Sequence, residues 1–393
     1  MRGSPFVRSS VGVRDAAGLR RVLLAWYRRN RRAMPWRETR DPYRVWVSEI
    51  MLQQTQVATA TPYYERFLEL FPDVRALARA RRDRVLAAWA GLGYYRRARH
   101  LHEAAGIVVR EHAGRVPSDA RAFGALPGVG RYTLGAVLSI GFGASLPVLD
   151  GNVARVLSRL SGRPLAIKRP ADAKLLWAMA EALMPPETPP ARRLDPAGGR
   201  AGSAQDANIP GQFNQALMEL GATLCTPRSP RCGACPLRRR CRALASGRQE
   251  SLPPVVGARA VVRVRRAVAR VTHRGRVLVV RREGALLDGM WEPPGVELAR
   301  GEDAAAALAR ALASLGLRAA LRDSGEEVRH TITHRDISVR VWCAEVARGA
   351  PRTSARLRWI APGERTLALT ALARRVIGEA AAAVPRTAVR VGA

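Results

Sequence analysis

The chain has 393 residues, enough for two or three domains that each bury a core, and it carries 66 Lys+Arg against 32 Asp+Glu, a formal charge of +34. The bases are nearly all arginine (the only lysines are Lys168 and Lys174), which reflects GC-rich coding, but the excess of base over acid calls for a polyanion: nucleic acid, with membrane surface and ribosome left open by composition alone. No apolar run reaches the roughly eighteen residues that span a bilayer, and the first residues lack the apolar core of a signal peptide, so a cytosolic protein is expected, in which five cysteines point to metal or chemistry rather than disulfides.

In chain order, residues 1–17 read as a loose tail and Leu19–Tyr27 as a short amphipathic helix. Met34-Pro35-Trp36-Arg37 breaks it, and a strong helix is predicted over Arg44–Ala60. Helical periodicity continues through Thr61–Leu70, Val85–Ala90 and Arg96–Arg110. Leu126-Pro127-Gly128-Val129-Gly130 is a tight turn opening onto an apolar helix, Tyr132–Ile140, and Asp150 heads a further helix, Asn152–Leu160. Residues 185–211 are rich in Pro, Gly, Ala and Arg without periodicity and read as an exposed loop. Helix returns at Gln212–Gly221, and a cysteine cluster spans Cys225 to Cys241. After a linker at 243–258 the period becomes two: strands are predicted at Ala260–Val271, Val277–Val280 and, as a pair, Glu327–Val346, with helices at 303–315 and 368–384. The expected fold is a predominantly α-helical domain over 18–242 followed by an α+β domain over 259–385 and a short tail, 386–393.

Four groups of residues carry chemistry. Cys225, Cys232, Cys235 and Cys241 place four thiolates within seventeen residues, the donor set of either zinc or a 4Fe-4S cluster, and spacing alone does not choose. Arg228, Arg231 and Arg238–Arg240 flank them and suit a loop pressed on phosphates. Cys343 lies in a strand pattern and reads as a core residue. Glu49 sits mid-helix among Trp46, Ile50, Met51 and Leu52; burial there raises a carboxyl pKa and keeps the proton that a general acid needs. Gln53, Gln54 and Thr55 follow it, able to read base edges or to form a polar face. The glycines of the 126–130 turn, Gly128 and Gly130, let free N–H groups approach a phosphate. Asp150 is either an ordinary N-cap or a second acid. Gly91-Leu92-Gly93-Tyr94-Tyr95, followed by Arg96, Arg97 and Arg99, is either a packing turn or an apolar wedge for a base stack.

In this order the pieces resemble the helix–hairpin–helix DNA glycosylases, and within them the adenine DNA glycosylase family (the MutY type). The motifs are PWR at 35–37, DPYRVWVSEIMLQQTQV at 41–57, GLGYYRRARHLH at 91–102, LPGVGRYT at 126–133, LDGNV at 149–153 and FNQALMELGATLCTPRSPRC at 213–232, and the likeness covers about residues 20–385. It implies a 4Fe-4S cluster for the cysteine loop. It implies base excision repair on duplex DNA holding A:8-oxoguanine or A:G mispairs, by a monomer in the bacterial cytoplasm, held at the nucleoid through DNA, without membrane contact. Glu49 is similar to the acid that protonates adenine N7, Asp150 to the carboxylate that stabilises the oxocarbenium ion, Tyr132 and Asn152 to supporting groups, and Arg37 to a partner of Glu49. Gln54, Thr55, Leu92 and Tyr94 resemble the residues around 8-oxoguanine and its neighbouring stack, and Gln215 a contact near the flipped adenine. Endonuclease III-type relatives carry a lysine where this chain has Tyr132, and a phenol cannot form a Schiff base, so a monofunctional glycosylase is expected rather than a glycosylase/lyase or a non-catalytic lesion binder. The C-terminal part, with Met290–Gly295 and Arg329–His334, resembles a Nudix-like 8-oxoguanine-recognition domain. Its helix, GEDAAAALARALASLG, has alanine where hydrolytic magnesium sites cluster carboxylates, and its recognition loop reads Ile332-Thr333-His334, with an isoleucine at the family's aromatic position.

Overall fold

The structure, a computed structural model, describes residues 15–187, 208–257, 260–284, 287–332, 334–346, 351–364 and 366–378. Most of the 1–17 tail, most of the 185–211 loop, Thr333 and the 386–393 tail lie outside the described residues. By clustering of contacts the chain forms two units: 1–79 with 100–257, and 80–99 with 258–393. The expected continuous span 18–242 is thus interrupted. Residues Ala80–Arg99 cluster with the sheet, because Asp83 and Arg99 pair with Arg281 and Asp288.

The helices, in chain order, are α1 (Ala16–Asn30), α2 (Pro42–Leu52), α3 (Val57–Leu70), α4 (Val74–Arg79), α5 (Arg82–Ala88), α6 (Arg96–Glu111), α7 (Ala120–Gly124), α8 (Arg131–Phe142), α9 (Gly151–Ser161), α10 (Pro170–Leu183), α11 (Ile209–Thr223) and α12 (Arg242–Ala245). Helices α4, α7, α10 and α12 were not signalled by the sequence pattern, and α12 overlaps the start of the stretch read as a linker, 243–258. The predicted helix over 44–60 is two helices. Asp41 caps α2 by accepting from Tyr43 N at 2.8 Å, with Pro42 at the first helical position. The helix then stops because Gln54 adopts a left-handed backbone, φ 57°, which no helix interior accommodates. The break puts Gln53–Gln56 in a loop directly after the turn that carries Glu49.

The first unit packs α2, α8, α9 and α11 around fully buried Trp46, Phe213, Leu217, Val137 and Leu157. Trp46 meets Phe123 edge-on at 5.3 Å. Burying each aliphatic or Phe side chain of this kind is worth roughly 1.5–3 kcal/mol. Helices α9 and α11 cross closely at Gly221: a Cβ there would stand 2.7 Å from Asn152 Cβ and 2.9 Å from its carbonyl oxygen. A glycine on one helix therefore fixes how near α11 comes to the acid-bearing start of α9.

The second unit contains β1 (Val262–His273), β2 (Arg276–Arg281), β3 (Trp291–Glu292), β4 (Gly295–Leu298), α13 (Ala304–Ala313), β5 (Arg322–Ile332), β6 (Arg335–Glu345), β7 (Leu357–Ile360) and α14 (Ala371–Ile377). The strands order β3-β2-β1-β6-β5, with β4 also on β1 and β7 on β2; the β1–β6 pair is parallel and the others antiparallel. Period-two alternation gives each face its own core. Ala267, Ala269 and Val271 face Leu308 and Leu312 of α13, while Val264, Val268, Ile337, Val339 and Val341 face Leu372 and Val376 of α14.

Gly221→Ala forces a methyl group into the α9–α11 crossing. It should lower unfolding free energy by about 1–3 kcal/mol, read as a lower urea midpoint at unchanged m-value.

Candidate active site

Three helix starts or ends bring the polar groups of the first unit together. Glu49, in the last turn and a half of α2, is 5% exposed. Tyr132 enters from the first turn of α8 and its hydroxyl donates to Glu49 Oε2 at 2.7 Å. Asp150 caps α9: Oδ1 accepts from Val153 N at 2.7 Å and Oδ2 from Asn152 Nδ2 at 3.0 Å. Asp150 is thus an N-cap, and it faces the same space as Glu49. A cavity of about 180 Å³ is lined by both acids together with Arg37, Thr55, Tyr132, Asn152 and Gln215. Gln215 accepts from the Tyr27 hydroxyl.

The two acids are held differently. Burial pushes Glu49 up to about 7; the Tyr132 hydrogen bond and the charge of Arg37 pull against it, and the negative charge of Asp150 pushes the same way as burial. Burial also raises Asp150, but the Val153 amide, the Asn152 side chain and the charge of Arg155 favour its ionised form. Tyr132 is driven well above the ordinary phenol range by burial and by the two acids, so it remains a donor.

Arg37 was expected to partner Glu49. Its charge reaches Glu49, but its guanidinium donates to Glu219 Oε2 at 2.7 Å and to the Arg32 carbonyl at 3.0 Å. Glu219 also accepts from Arg32, at 2.7 Å from Nε and 2.9 Å from Nη2. Burial alone would raise Glu219, yet the two arginines outweigh it and bring the pKa down to about 2. Glu219, Arg32, Trp36 and Met218 all line the cavity and were missed in the sequence. The available signal was an acid at a helical position amid the apolar run ALMELG, which is 1% exposed in the fold.

Helix α9 also reaches the cysteine loop. Arg155 donates to Asn152 Oδ1 at 2.8 Å, to the Gly221 carbonyl at 2.9 Å and to the Cys225 carbonyl at 2.7 Å. Arg159, 2% exposed, donates to the carbonyls of Leu252, Thr226 and Pro227 and touches Cys225 Sγ at 3.3 Å. The four thiols are half-buried and free. Burial raises Cys235 to about 11, and Cys225, Cys241 and Cys232 each add to that rise. Four cysteines within seventeen residues are by their chemistry the donor set that a 4Fe-4S cluster takes.

The remaining predicted residues lie outside this cavity. Gln54 is exposed in its left-handed turn. Gly128, φ 77°, has no room for a Cβ, which would meet His100 Cβ at 2.7 Å. Gly130 starts α8 with no side-chain cap, leaving its first N–H groups without one. In the 91–95 turn the expectation of several outward apolar groups is corrected: Leu92 and Tyr95 are 6% exposed and only Tyr94, at 44%, stands out. Ile332 pairs with Arg335, so His334, half-buried, belongs to a two-residue tip between β5 and β6. No helix among the described residues is long and apolar enough to cross a membrane.

Residues 47–179 match the HhH-GPD superfamily of base excision DNA repair proteins, 225–241 the iron-sulfur binding domain of endonuclease III, and 266–379 the NUDIX domain. The loop 225–241 is accordingly a 4Fe-4S-binding element. The chain is 43% identical over 249 residues to the adenine DNA glycosylase of Homo sapiens, covering 61% of this chain and 42% of that one. It is 36% identical over 345 residues to that of Arabidopsis thaliana, covering 77% and 51%. Against that of Mycolicibacterium smegmatis it is 39% identical over 279 residues, covering 68% of this chain and 84% of the relative. The chain spans about half the length of the human and plant relatives it matches.

Because Glu49 holds its proton more tightly folded than unfolded, its contribution to stability is full below pH 4.5 and declines as pH rises to about 7. Glu49→Gln should therefore stabilise the protein above pH 7, by roughly 3 kcal/mol at most, with the gain shrinking toward pH 5. Thermal melts of both proteins across pH 5–8 measure this.

Proposed function

The chain belongs to the adenine DNA glycosylase family, and we propose that it hydrolyses the N-glycosidic bond of adenine mispaired with 8-oxoguanine or guanine in duplex DNA. The observation that carries this reading is Glu49: a buried carboxyl raised to about 7 and bonded by Tyr132, facing a second acid across a cavity sized for one base. Adenine must leave the duplex to enter such a cavity. Glu49, protonated near neutral pH, then gives its proton to adenine N7. The C1′–N9 bond breaks with both electrons going to the base, and positive charge develops on the sugar. Asp150, kept anionic by the Val153 amide, Asn152 and Arg155, stabilises that oxocarbenium ion. Glu49, now a carboxylate, takes a proton from the attacking water. Tyr132 holds Glu49 in place through its hydroxyl. Glu219, with Arg32 and Arg37, closes the polar wall of the cavity.

Around this centre, the uncapped start of α8 with Gly128 and Gly130 suits a backbone phosphate. Cys225, Cys232, Cys235 and Cys241 would hold the 4Fe-4S cluster through their thiolates, and that cross-link would order the loop that carries Arg228, Arg231 and Arg238–Arg240. Gln54, Thr55 and Tyr94 surround the opposite base and its stack, Leu92 packs inward beneath the turn that carries Tyr94, and Thr333 and His334 read 8-oxoguanine. The helical unit takes in 1–79 and 100–257, the Nudix-like unit 80–99 and 258–393, and the enzyme works as a cytoplasmic monomer.

In single-turnover assays on an A:8-oxoguanine duplex, the protein should release adenine, and Glu49→Gln should be slower by about a hundredfold or more. Failure of the unmodified protein to release adenine would defeat the reading, and full activity of the variant would defeat the role of Glu49. Since Tyr132 cannot form an imine, borohydride should trap no efficient covalent adduct on the same duplex; strong trapping would show a lyase instead.

A further inference from the structure

The turn at Gly91–Tyr95 is rigid by its own bonds. Gly91, Gly93 and Tyr94 have φ of 113°, 72° and 49°. Trp89 Nε1 donates to the Gly93 carbonyl at 3.2 Å, and the Gly91 amide donates to the Tyr95 hydroxyl at 3.1 Å. Arg97 donates to the Gly93 carbonyl at 3.2 Å while its guanidinium lies 5.4 Å from the Trp89 ring and 5.5 Å from that of Tyr94. These bonds set the shape of the turn and the outward posture of Tyr94. They do not set where the turn is carried.

Within the second unit, both flanks of the turn are gripped by one hairpin of the sheet. On the N-terminal flank, Asp83 of α5 pairs with Arg281, the last residue of β2, at 3.2 Å. Leu86, fully buried, lies beside Gly289, whose positive φ of 78° bends the β2–β3 connection. On the C-terminal flank, Arg99 of α6 donates to the Asp288 carbonyl at 2.6 Å and to its carboxylate at 3.2 Å, with Arg82 3.7 Å from the same carboxylate. The connection is itself pinned to the sheet: Arg282 N bonds the Met290 carbonyl at 2.8 Å and Gly289 N the Arg282 carbonyl at 2.9 Å. Arg99 and Asp83 side chains are only 15% and 19% exposed, so these pairs are screened less than surface pairs.

We propose that Arg281 and Asp288 are positioning residues for the Tyr94 turn: the β2–β3 hairpin clasps both of its flanks, so the sheet that reads the base opposite adenine also carries the wedge that opens the stack beside it. This rests on the reading of the turn as a wedge. One rigid body then delivers the reading tip and the wedge together, and loosening the clasp harms insertion before it harms bond cleavage.

The test uses the full chain as Asp83→Ala, Arg281→Ala, the double variant and the charge swap Asp83→Arg/Arg281→Asp. The duplex carries 2-aminopurine beside 8-oxoguanine, opposite a 2′-fluorinated adenine nucleotide that resists cleavage. Each single variant should reduce the unstacking fluorescence and weaken half-saturation by about three- to fivefold, with the single-turnover rate on the cleavable duplex at saturation within about twofold. The double variant should be no worse than the worse single, and the swap should recover signal. Amide hydrogen exchange over residues 82–99 in DNA-free protein should be faster in the singles. Unchanged exchange and fluorescence in the singles, or a swap no better than the double variant, would overturn the clasp. A fluorescence rise missing in the unmodified protein would overturn the wedge reading and the proposal with it.

Discussion

Two carboxyl groups share one small cavity, and the surrounding structure answers the cost of placing two anions side by side there. Burial pushes Glu49 and Asp150 the same way. They differ in what each receives. Asp150 sits at a helix start, where an unpaired amide is available by the geometry of any α-helix, and Asn152, two residues on, adds a second donor. Glu49 sits near a helix end, where no such amides exist, and its direct donor is a single phenol. Placing one acid at the head of α9 and the other toward the tail of α2 therefore favours the anion at Asp150 more than at Glu49.

A third acid supports that difference. Arg32 and Arg37 approach the same cavity, and two uncompensated guanidinium groups would draw the proton off Glu49. Glu219 takes up both, through three guanidinium hydrogen bonds and one from the Arg32 amide to its two oxygens. The pair of arginines is thereby a fixed polar wall rather than a free positive field. On the opposite side of Asp150, Arg155 spans Asn152 and the Cys225 carbonyl, and Arg159 fills the space between α9 and the cysteine loop with bonds to three carbonyls. Folding of that loop and seating of the acid are one packing problem, since the same helix serves both.

What the sequence disclosed, it disclosed through local rules. The helix start at Asp150 follows from capping chemistry, that of α8 from the glycine turn before it, and the two faces of the sheet from alternation, while the cap at Asp41 went unread. The cysteine spacing announced a metal site on its own. The break after Leu52 was hidden because QQTQ contains neither glycine nor proline, the residues that usually mark a left-handed turn such as that at Gln54. Glu219 was hidden for a different reason: its partners are 182 and 187 residues away in the chain, and a glutamate in a helix announces nothing about them. Leu92 looked as exposed as Tyr94 because a turn between glycines does not say which neighbour faces in.

The second unit matches the NUDIX domain over 266–379, yet its helix α13 has an unusual composition. Where a hydrolase of this fold needs a helix crowded with carboxylates, the described helix reads AAAALARALA. Clustered carboxylates repel unless a cation sits among them, so losing the cation's role makes alanine the better residue: it has the highest helix propensity and leaves Ala307, Leu308 and Leu312 free to pack on Ala267 and Ala269. The charged groups retained nearby turn inward on one another, with Glu292 accepting from both Arg266 and Arg282. These two pairs tie β1 and the end of β2 to β3, so the charges in the sheet serve its packing.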